Sequence, residues 1–205
     1  MSALVVDGHP IEPLEERTWD AFAGLAERHN GVWGGCWCTW FHLYPDPTEE
    51  RRELGHREFK RRLVVAGRAH AALVMDGDDA VAWAQYGTVD ELQNIHHRKQ
   101  WEKELVQRPD FRITCLFVDR RHRRSGMASV AVRGALGLIA QAGGGLVESY
   151  PHDLPPGKRT SASFLYNATR TMYEQLGFEY QRPKGKGNCV MTLRVPAAGG
   201  AASGG

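Results

Sequence analysis

The sequence predicts an α/β (α+β) fold in which helices flank one mixed β-sheet. A buried strand, an amphipathic helix and a second strand follow one another between residues 111 and 150, which implies a right-handed crossover between two parallel strands. Short turns at residues 76–79 and 185–188 join strand-like runs on either side of this unit, and tight turns pair strands antiparallel. The sheet therefore contains both kinds of pairing.

The first half of the chain contains two predicted helices and a hairpin. Residues 12–29 carry apolar side chains on one side, as an amphipathic helix does, and an Asn-Gly pair ends that pattern. Residues 48–66 form the second predicted helix, with acidic residues early and basic residues late. The runs 69–75 and 80–86 are the expected strands of the hairpin.

The second half alternates strands and helices. Residues 87–110 are polar and have no clear periodicity, with a short helix expected near 101–105. The elements expected after them are a strand at 111–118, a helix at 126–142, a strand at 146–150, a helix at 163–176 and strands at 178–181 and 189–195. Residues 196–205, PAAGGAASGG, are predicted to be a flexible tail.

Length and composition exclude several classes of protein. A chain of 205 residues with 42% apolar and 24% charged residues is long enough for a buried core and is typical of globular proteins. A net charge of +2 does not argue for a nucleic-acid or membrane partner. The sequence has no apolar run long enough to cross a bilayer and no signal-peptide pattern at its start, so a cytoplasmic location is expected.

Four cysteines, Cys36, Cys38, Cys115 and Cys189, bear on metal binding and redox state. The first two lie closer together than the paired cysteines of a zinc knuckle, and no second pair follows. A cytoplasmic chain of this size needs no disulfides. We therefore expect free thiols and no metal.

The segment most informative about chemistry is residues 117–128, FVDRRHRRSGMA. A buried strand ends there, basic residues follow, and Gly126 opens an amphipathic helix. The first amides of a helix lack internal partners and lie at the positive end of its dipole, so this place favours an anion such as a phosphate. A solvated basic loop and a nucleic-acid patch at residues 120–124 are the alternatives.

Two motifs resemble those of the GNAT N-acetyltransferase superfamily. RRSGMA at residues 123–128 is similar to the family's Gln/Arg-x-x-Gly-x-Gly/Ala loop, and MYEQLGF at residues 172–178 is similar to its Leu-Tyr-Glu-Lys-Leu-Gly-Phe ending. Both lie on the helices that periodicity predicts, with the expected strand between them. The resemblance covers about residues 69–195.

This resemblance implies a mixed sheet that is splayed at its centre, with acetyl-CoA in the cleft as the acyl donor and no metal. Residues 1–195 would form one acyltransferase domain, in which 69–195 bind the acyl-CoA and the helical, aromatic-rich region 12–68 covers the acceptor side. The cofactor-binding residues that it implies are Phe117 and Val118 for the pantetheine arm, and Arg123, Arg124, Ser125, Gly126, Met127 and Ala128 for the pyrophosphate.

The second motif also suggests two site residues. Tyr173 matches the family residue near the thioester sulfur, so it is the candidate general acid, and an ordinary core tyrosine is the alternative. The family often places an asparagine seven residues before that tyrosine, whereas this chain has Tyr166 there and Asn167 one residue later. Asn167 is therefore a candidate cofactor contact, with a helix cap or a surface residue as the alternatives.

Glu148 is the candidate general base. It lies on the strand predicted at 146–150, where a carboxylate is costly unless it is paired or takes part in catalysis. Burial would raise the pKa of such a carboxyl toward the range that suits a base. A salt bridge or a strand-end position facing water is the alternative, and His152, Asp119 and His97 are weaker candidates.

Aromatic residues are concentrated between Trp33 and Tyr44, a segment that includes Trp37, Trp40 and Phe41. Their spacing fits one helical face, which indicates a stripe that packs on the sheet. The alternative is that the three tryptophans line a pocket for the acceptor, because aromatic walls bind flat or cationic groups.

The expected acceptor is a primary amine of a small molecule. Loops near the predicted opening carry conflicting charges, because Asp90 and Glu91 would favour a cation whereas Lys184 and Lys186 would favour an anion. A non-catalytic acyl-CoA sensor and, with less support, a nucleic-acid binder are the alternatives to an enzyme. The oligomeric state is open, with a homodimer as the general prior.

Overall fold

A computed structural model describes residues 4–42, 48–154 and 166–199. In these ranges eight strands form one sheet, in the order β1-β2-β3-β4-β5-β6-β8-β7. The strands are β1 Leu4–Val6, β2 His9–Pro13, β3 His70–Asp76, β4 Asp79–Thr88, β5 Phe111–Val118, β6 Gly145–Ser149, β7 Glu179–Lys184 and β8 Asn188–Val195. The helices are α1 Trp19–Glu27, α2 Thr48–Val65, α3 Arg98–Lys103, α4 Met127–Gln141 and α5 Arg170–Gln175.

The sheet is mixed, as predicted. Strand β5 pairs with β6 in parallel, and α4 is the crossover between them. The other neighbouring strands are antiparallel. The predicted strand at 111–118 is confirmed residue for residue, because its run of β-branched and aromatic residues is buried on both faces.

Helices cover both faces of the sheet. On one face α1, α2 and the aromatic segment enclose a core around Trp83 and Phe22, whose rings lie 4.7 Å apart. On the other face α4 packs on β1 to β5 with Val130 and Ile139 in the core. Gly134 allows the close approach of α4, because a Cβ there would lie 2.8 Å from Cγ2 of Ile11.

The parallel pair separates at the centre of the sheet. Pairing between β5 and β6 runs only from Phe111 to Ile113, after which β5 continues to Val118 without β6 beside it. The amide of Leu116 donates instead to the carbonyl of Tyr166, at 2.7 Å. The expected central splay is therefore present, and the chain segment before α5 lies beside β5 in the gap.

The predicted helix at 12–29 is wrong in its first part. Residues His9–Pro13 form β2, and α1 begins only at Trp19. Pro10 and Pro13 lack amide protons, and Ile11 pairs with β3 and is buried under α4, so tertiary contacts override the helical pattern. A hairpin joins β1 to β2 through Asp7 and Gly8, whose φ angles of 50° and 81° are both positive, as a type I′ turn requires.

The predicted helix at 163–176 is also shorter than expected. Helix α5 begins at Arg170, and Thr169 caps it by accepting from the amide of Met172 at 3.4 Å. Ala168 has a φ of 53°, which no helix interior contains. Residues 163–165 lie outside the described part of the chain. The predicted helix at 48–66 is confirmed as α2, with a break at Gly55, where φ is 72°.

A buried polar network lies between α2 and the sheet. The ammonium of Lys60, fully buried, donates to Oε1 of Gln85 at 2.7 Å and lies 3.3 Å from Nε2 of His42. Gln85 in turn donates to Thr114 at 3.2 Å. Burial lowers the pKa of Lys60 from 10.5 to about 7.

The C-terminal tail begins in contact with the domain. The amide of Ala198 donates to the carbonyl of Ala140 at 2.8 Å, and residues 200–205 lie outside the described part of the chain, so the flexible tail stays a prediction. Of the helices in residues 4–42, 48–154 and 166–199, none has the length and apolar character needed to cross a bilayer.

Candidate functional site

The basic loop after β5 is held in place by a buried carboxylate. Asp119 is 1% exposed and accepts from the amide of Arg121 at 2.9 Å and from its guanidinium at 2.9 Å. The side-chain hydrogen bond from Arg121 holds the pKa of Asp119 well below its usual range. Arg121 is therefore committed to the loop itself, and Asp119 is a structural carboxylate rather than a free base.

A cavity of about 570 Å³ lies where this loop, the end of β5 and the start of α5 meet. Of the sequence-predicted cofactor residues, the cavity brings together Phe117, Val118, Arg123, Arg124, Gly126, Met127 and Ala128. Ser125 does not line it, because its hydroxyl donates to the carbonyl of His122 at 2.5 Å. His122, Ser129 and Thr169 line the cavity without having been singled out from the sequence.

The backbone of the loop favours an anion. Arg124 and Gly126 have φ angles of 65° and 81°, and Gly126 precedes α4 without a side-chain cap on the first amides of that helix. A Cβ at Gly126 would meet no atom within 4 Å, so the glycine is needed for its backbone conformation and not to avoid a clash. Uncapped amides at the positive end of a helix dipole bind phosphates, and two arginines stand beside them.

Asn167 and Tyr173 are buried next to residues that line the cavity. Asn167 is 4% exposed, and its Nδ2 donates to the carbonyl of Tyr150 at 3.2 Å, while its Oδ1 makes no hydrogen bond with any residue that the structure describes. Tyr173 is fully buried with its hydroxyl near Ser149, but within the described ranges that hydroxyl forms no hydrogen bond of standard geometry. Burial raises the pKa of Tyr173, and Ser149 opposes that shift.

Comparisons with known proteins agree with this geometry at the level of the fold. No protein-family model and no curated protein matches the sequence. A structure from Corynebacterium glutamicum, described as histone acetyltransferase HPA2 and related acetyltransferase, matches with a TM-score of 0.51 and 16% identity over 94% of this chain and 99% of that one. A GNAT family acetyltransferase from Streptococcus agalactiae matches with a TM-score of 0.50 and 12% identity over 93% and 98%. The chain has the GNAT fold. At these identities the likeness concerns the fold alone.

Within the GNAT fold of this chain, Glu148 lies in a buried cluster away from the cavity. It is 2% exposed, and its Oε1 accepts from Nε1 of Trp101 and from the hydroxyl of Tyr150, both at 2.5 Å. Burial raises the pKa of Glu148, and these two donors and Arg112 oppose the shift. These hydrogen bonds fit a structural role for Glu148 as well as the predicted role of general base. The sequence could not show the hydrogen bond from Trp101, because 47 residues separate the two.

The three tryptophans of the aromatic segment do not share one face. Trp33 lines the cavity and packs edge-on against Phe117, with ring centroids 5.8 Å apart. Trp37 is 7% exposed and stacks on Trp19 in the core, and Trp40 stacks on His96 at 4.3 Å. The predicted helical face is wrong because the segment is a series of turns with positive φ at several residues, among them Val32, Trp33, Trp37 and Cys38. Tyr44 lies outside the described residues.

These turns also bring two cysteines together. Cys38 and Cys115 form a disulfide that joins the aromatic segment to β5, with Cα atoms 6.5 Å apart, a spacing that suits a disulfide. The expectation of free thiols is therefore wrong for this pair and right for Cys36 and Cys189. The described residues hold no group of three or more metal-ligating side chains.

A narrow crevice lies on the other side of the chain segment before α5, the segment that runs beside β5 in the gap of the sheet. Tyr166 and Asn167 line this crevice, whereas the next residue, Ala168, lines the large cavity. The other walls are Phe41, Ile95, His96, His97, Tyr150, Lys184 and Asn188, and the volume is about 10 Å³. His96 and Lys184 belong to two of the loops that carried the conflicting charges in the sequence, and only the folded chain places them together.

Proposed function

We propose that this protein is an acetyl-CoA-dependent N-acetyltransferase that acetylates a primary amine of a small molecule. The observation that carries the proposal is the 570 Å³ cavity in which an uncapped helix start, two arginines and the splayed end of β5 meet. A phosphate-bearing ligand with an extended arm needs these features together, and a solvated basic loop needs none of them.

The residues around the cavity fit such a ligand. Arg123 and Arg124 line the cavity beside the first amides of α4 and would hold the pyrophosphate. Nε1 of Trp33, which lines the cavity, is buried and has no hydrogen-bond partner among the described residues, and a buried group without a hydrogen bond is costly unless a ligand completes it. Oδ1 of Asn167 also lacks a partner there, but Asn167 lines the narrow crevice and not the cavity. The pantetheine arm carries amides that supply both donors and acceptors.

The proposed chemistry needs a proton donor for the leaving thiolate and a base that takes the proton of the attacking amine. Bound acetyl-CoA supplies a thioester whose acyl carbon accepts a nucleophile. Tyr173 keeps its proton at neutral pH, since a tyrosine ordinarily has a pKa of about 10 and burial raises it further, and we assign its hydroxyl the task of protonating the leaving sulfur. No base is assigned, because Oε1 of Glu148 already accepts from Trp101 and Tyr150.

Calorimetry with acetyl-CoA, with ATP and CoA as competitors, tests the binding half of the proposal. Replacing Arg123 and Arg124 together with Gln should weaken acetyl-CoA binding at least about tenfold, because each charge-assisted hydrogen bond contributes about 1.5–3 kcal/mol. Arg120→Gln is the matched control, since Arg120 is an exposed arginine of the same loop that does not line the cavity. Equal losses in both variants, or no binding by the wild type, would overturn the proposal.

A screen of amines that measures release of free thiol tests the catalytic half. Tyr173→Phe should lower kcat by about 100-fold for a lost general acid while acetyl-CoA affinity stays within about twofold. Unchanged kcat would show that Tyr173 is only a core residue. Tight acetyl-CoA binding with no turnover of any amine would favour a non-catalytic sensor.

A further inference from the structure

The narrow crevice shares a wall with the large cavity. It lies across Tyr166 and Asn167 from the large cavity, and Trp33, which lines that cavity, contacts the ring of Tyr166 with centroids 6.2 Å apart. One segment of chain thus forms a wall of both spaces. What lines the crevice should therefore determine which amines are accepted.

The crevice has a buried positive charge at its base. Lys184 is 3% exposed, its ammonium donates to the carbonyl of His96, and it lies 4.5 Å from the centroid of the Tyr150 ring. Arg112 is 1% exposed behind the same ring, donates to the carbonyl of Leu92 at 2.6 Å and stacks over Trp101. Both cations are satisfied mainly by carbonyls and aromatic rings.

Among the described residues, carboxylates balance these two charges only in part. Glu148 is the one buried carboxylate that interacts with them among the described residues, and neither Lys184 nor Arg112 forms an ion pair closer than 4 Å there. Arg182 adds a further positive charge near Glu148, and Glu104 pairs with Arg182 at 3.4 Å. Two buried cations face one carboxylate, and an uncompensated buried charge is expensive.

The acidic residues that argued for a cationic acceptor are occupied elsewhere. Asp90 pairs with Arg108 at 2.5 Å on the surface. Glu91 pairs with His70 at 3.2 Å and accepts from the amide of Thr88 at 2.8 Å. In the part of the chain that the structure describes, no carboxylate lines the crevice.

We propose that Lys184 binds a carboxylate of the acceptor in this crevice, so that the acceptor is a primary amine that also carries a carboxylate. This inference rests on the function proposed above. A carboxylate supplies the missing negative charge and accepts the remaining ammonium hydrogens. It is also small and flat, which suits a slot between the rings of Phe41, Tyr150 and Tyr166.

The volume of about 10 Å³ has room for about one water-sized group, so the acceptor must displace a wall. His96 and His97 are the exposed wall residues, and the ring of His96 stacks on that of Trp40. Rotation of an exposed ring costs little compared with repacking a core residue. Trp40 of the aromatic segment thus holds the ring that an acceptor would displace, because it stacks on His96.

Acetyl transfer to matched amines tests the inference. The panel consists of α-amino acids and ω-amino carboxylates, each assayed beside its carboxamide, with spermidine as the polycationic member. For the best acceptor we expect kcat/KM of the carboxylate to exceed that of the carboxamide at least about tenfold, as for a charge-assisted hydrogen bond. Lys184→Met should bring that ratio close to one, and Lys184→Arg should retain most of it.

Lys186→Met is the matched control, because Lys186 is an exposed lysine two residues away that does not line the crevice. It should leave the ratio unchanged. Preference for the carboxamide or for spermidine, or a ratio that survives in Lys184→Met, would overturn the inference. Acetyl-CoA binding without turnover of any carboxylate would also overturn it and leave the cofactor site standing, whereas loss of acetyl-CoA binding by the wild type would remove the proposed function itself.

Discussion

Replacing the buried Lys60 with Met should flatten the dependence of protein stability on pH. Lys60 is fully buried and is held by Gln85 and His42. Burial lowers its pKa from 10.5 to about 7, whereas a lysine in the unfolded chain keeps a pKa near its ordinary value of about 10.4. The two states of the protein therefore bind different numbers of protons over a wide range above neutrality.

The sign and size of the effect follow from this difference. Between pH 7.5 and 9.5 the unfolded chain holds the Lys60 proton and the folded chain has largely lost it, so the free energy of unfolding rises with pH. Integrated over these two pH units, Lys60 contributes an increase of about 2 kcal/mol. Lys184, whose pKa burial lowers to about 8, contributes in the same direction and remains in the variant.

Urea unfolding followed by tryptophan fluorescence at pH 7.5, 8.5 and 9.5 measures the effect. The rise in unfolding free energy should be smaller in Lys60→Met than in the wild type by about 2 kcal/mol, while the exposed Lys186→Met keeps the wild-type rise. The range starts above pH 7 so that histidines are neutral in both states. Parallel curves for the wild type and Lys60→Met would refute the argument that the folded chain holds a neutral amine there.

Three further predictions concern the packing. Denatured, unreduced protein should show two free thiols, and four would contradict the disulfide. Replacing Cys38 and Cys115 together with Ala should lower the unfolding free energy by about 2–4 kcal/mol, because the disulfide closes a loop of 77 residues. Gly134→Ala should destabilise by about 1–3 kcal/mol despite the better helix propensity of Ala, because its Cβ would overlap Ile11, and a stabilised variant in thermal unfolding would contradict this. Trp37→Ala should cost about 3–5 kcal/mol in urea unfolding as a core residue, and a cost below about 1 kcal/mol would place it at the surface.

The parts of the fold that the sequence predicted well are those whose signals are local. Strand β5, helix α4 and strand β6 follow one another with strong periodicity, and the predicted bounds agree with the structure to within about two residues. The turn between β1 and β2 was also readable, since Asp7-Gly8 is a residue pair typical of a type I′ turn. The hairpin was missed because its second strand, HPIEP, has one apolar residue, Ile11, and so no alternation that indicates a strand.

The parts that failed depend on contacts between distant segments. Trp33, Trp37 and Trp40 have helical spacing, yet the turns between them place one beside the cavity, one in the core and one on His96. No periodicity distinguishes a helix from such a series of turns, and only Gly34 and Gly35 argued against the helix. The disulfide partner of Cys38 was unreadable for the same reason, because 77 residues separate the two cysteines.

The two halves of the candidate site differ in the same way. The anion-binding loop is readable because the strand end, the arginines and the helix start that form it are contiguous in the chain. The narrow crevice is lined by residues from five separated segments. The sequence therefore shows which charged residues are present but not which of them are neutralised by a partner. Arg108 pairs with Asp90 and His70 pairs with Glu91, whereas among the described residues Lys184 has a carbonyl, an aromatic ring and a longer-range interaction with Glu148. The buried charge of Lys184 at the base of the crevice is therefore the feature that we propose selects the acceptor.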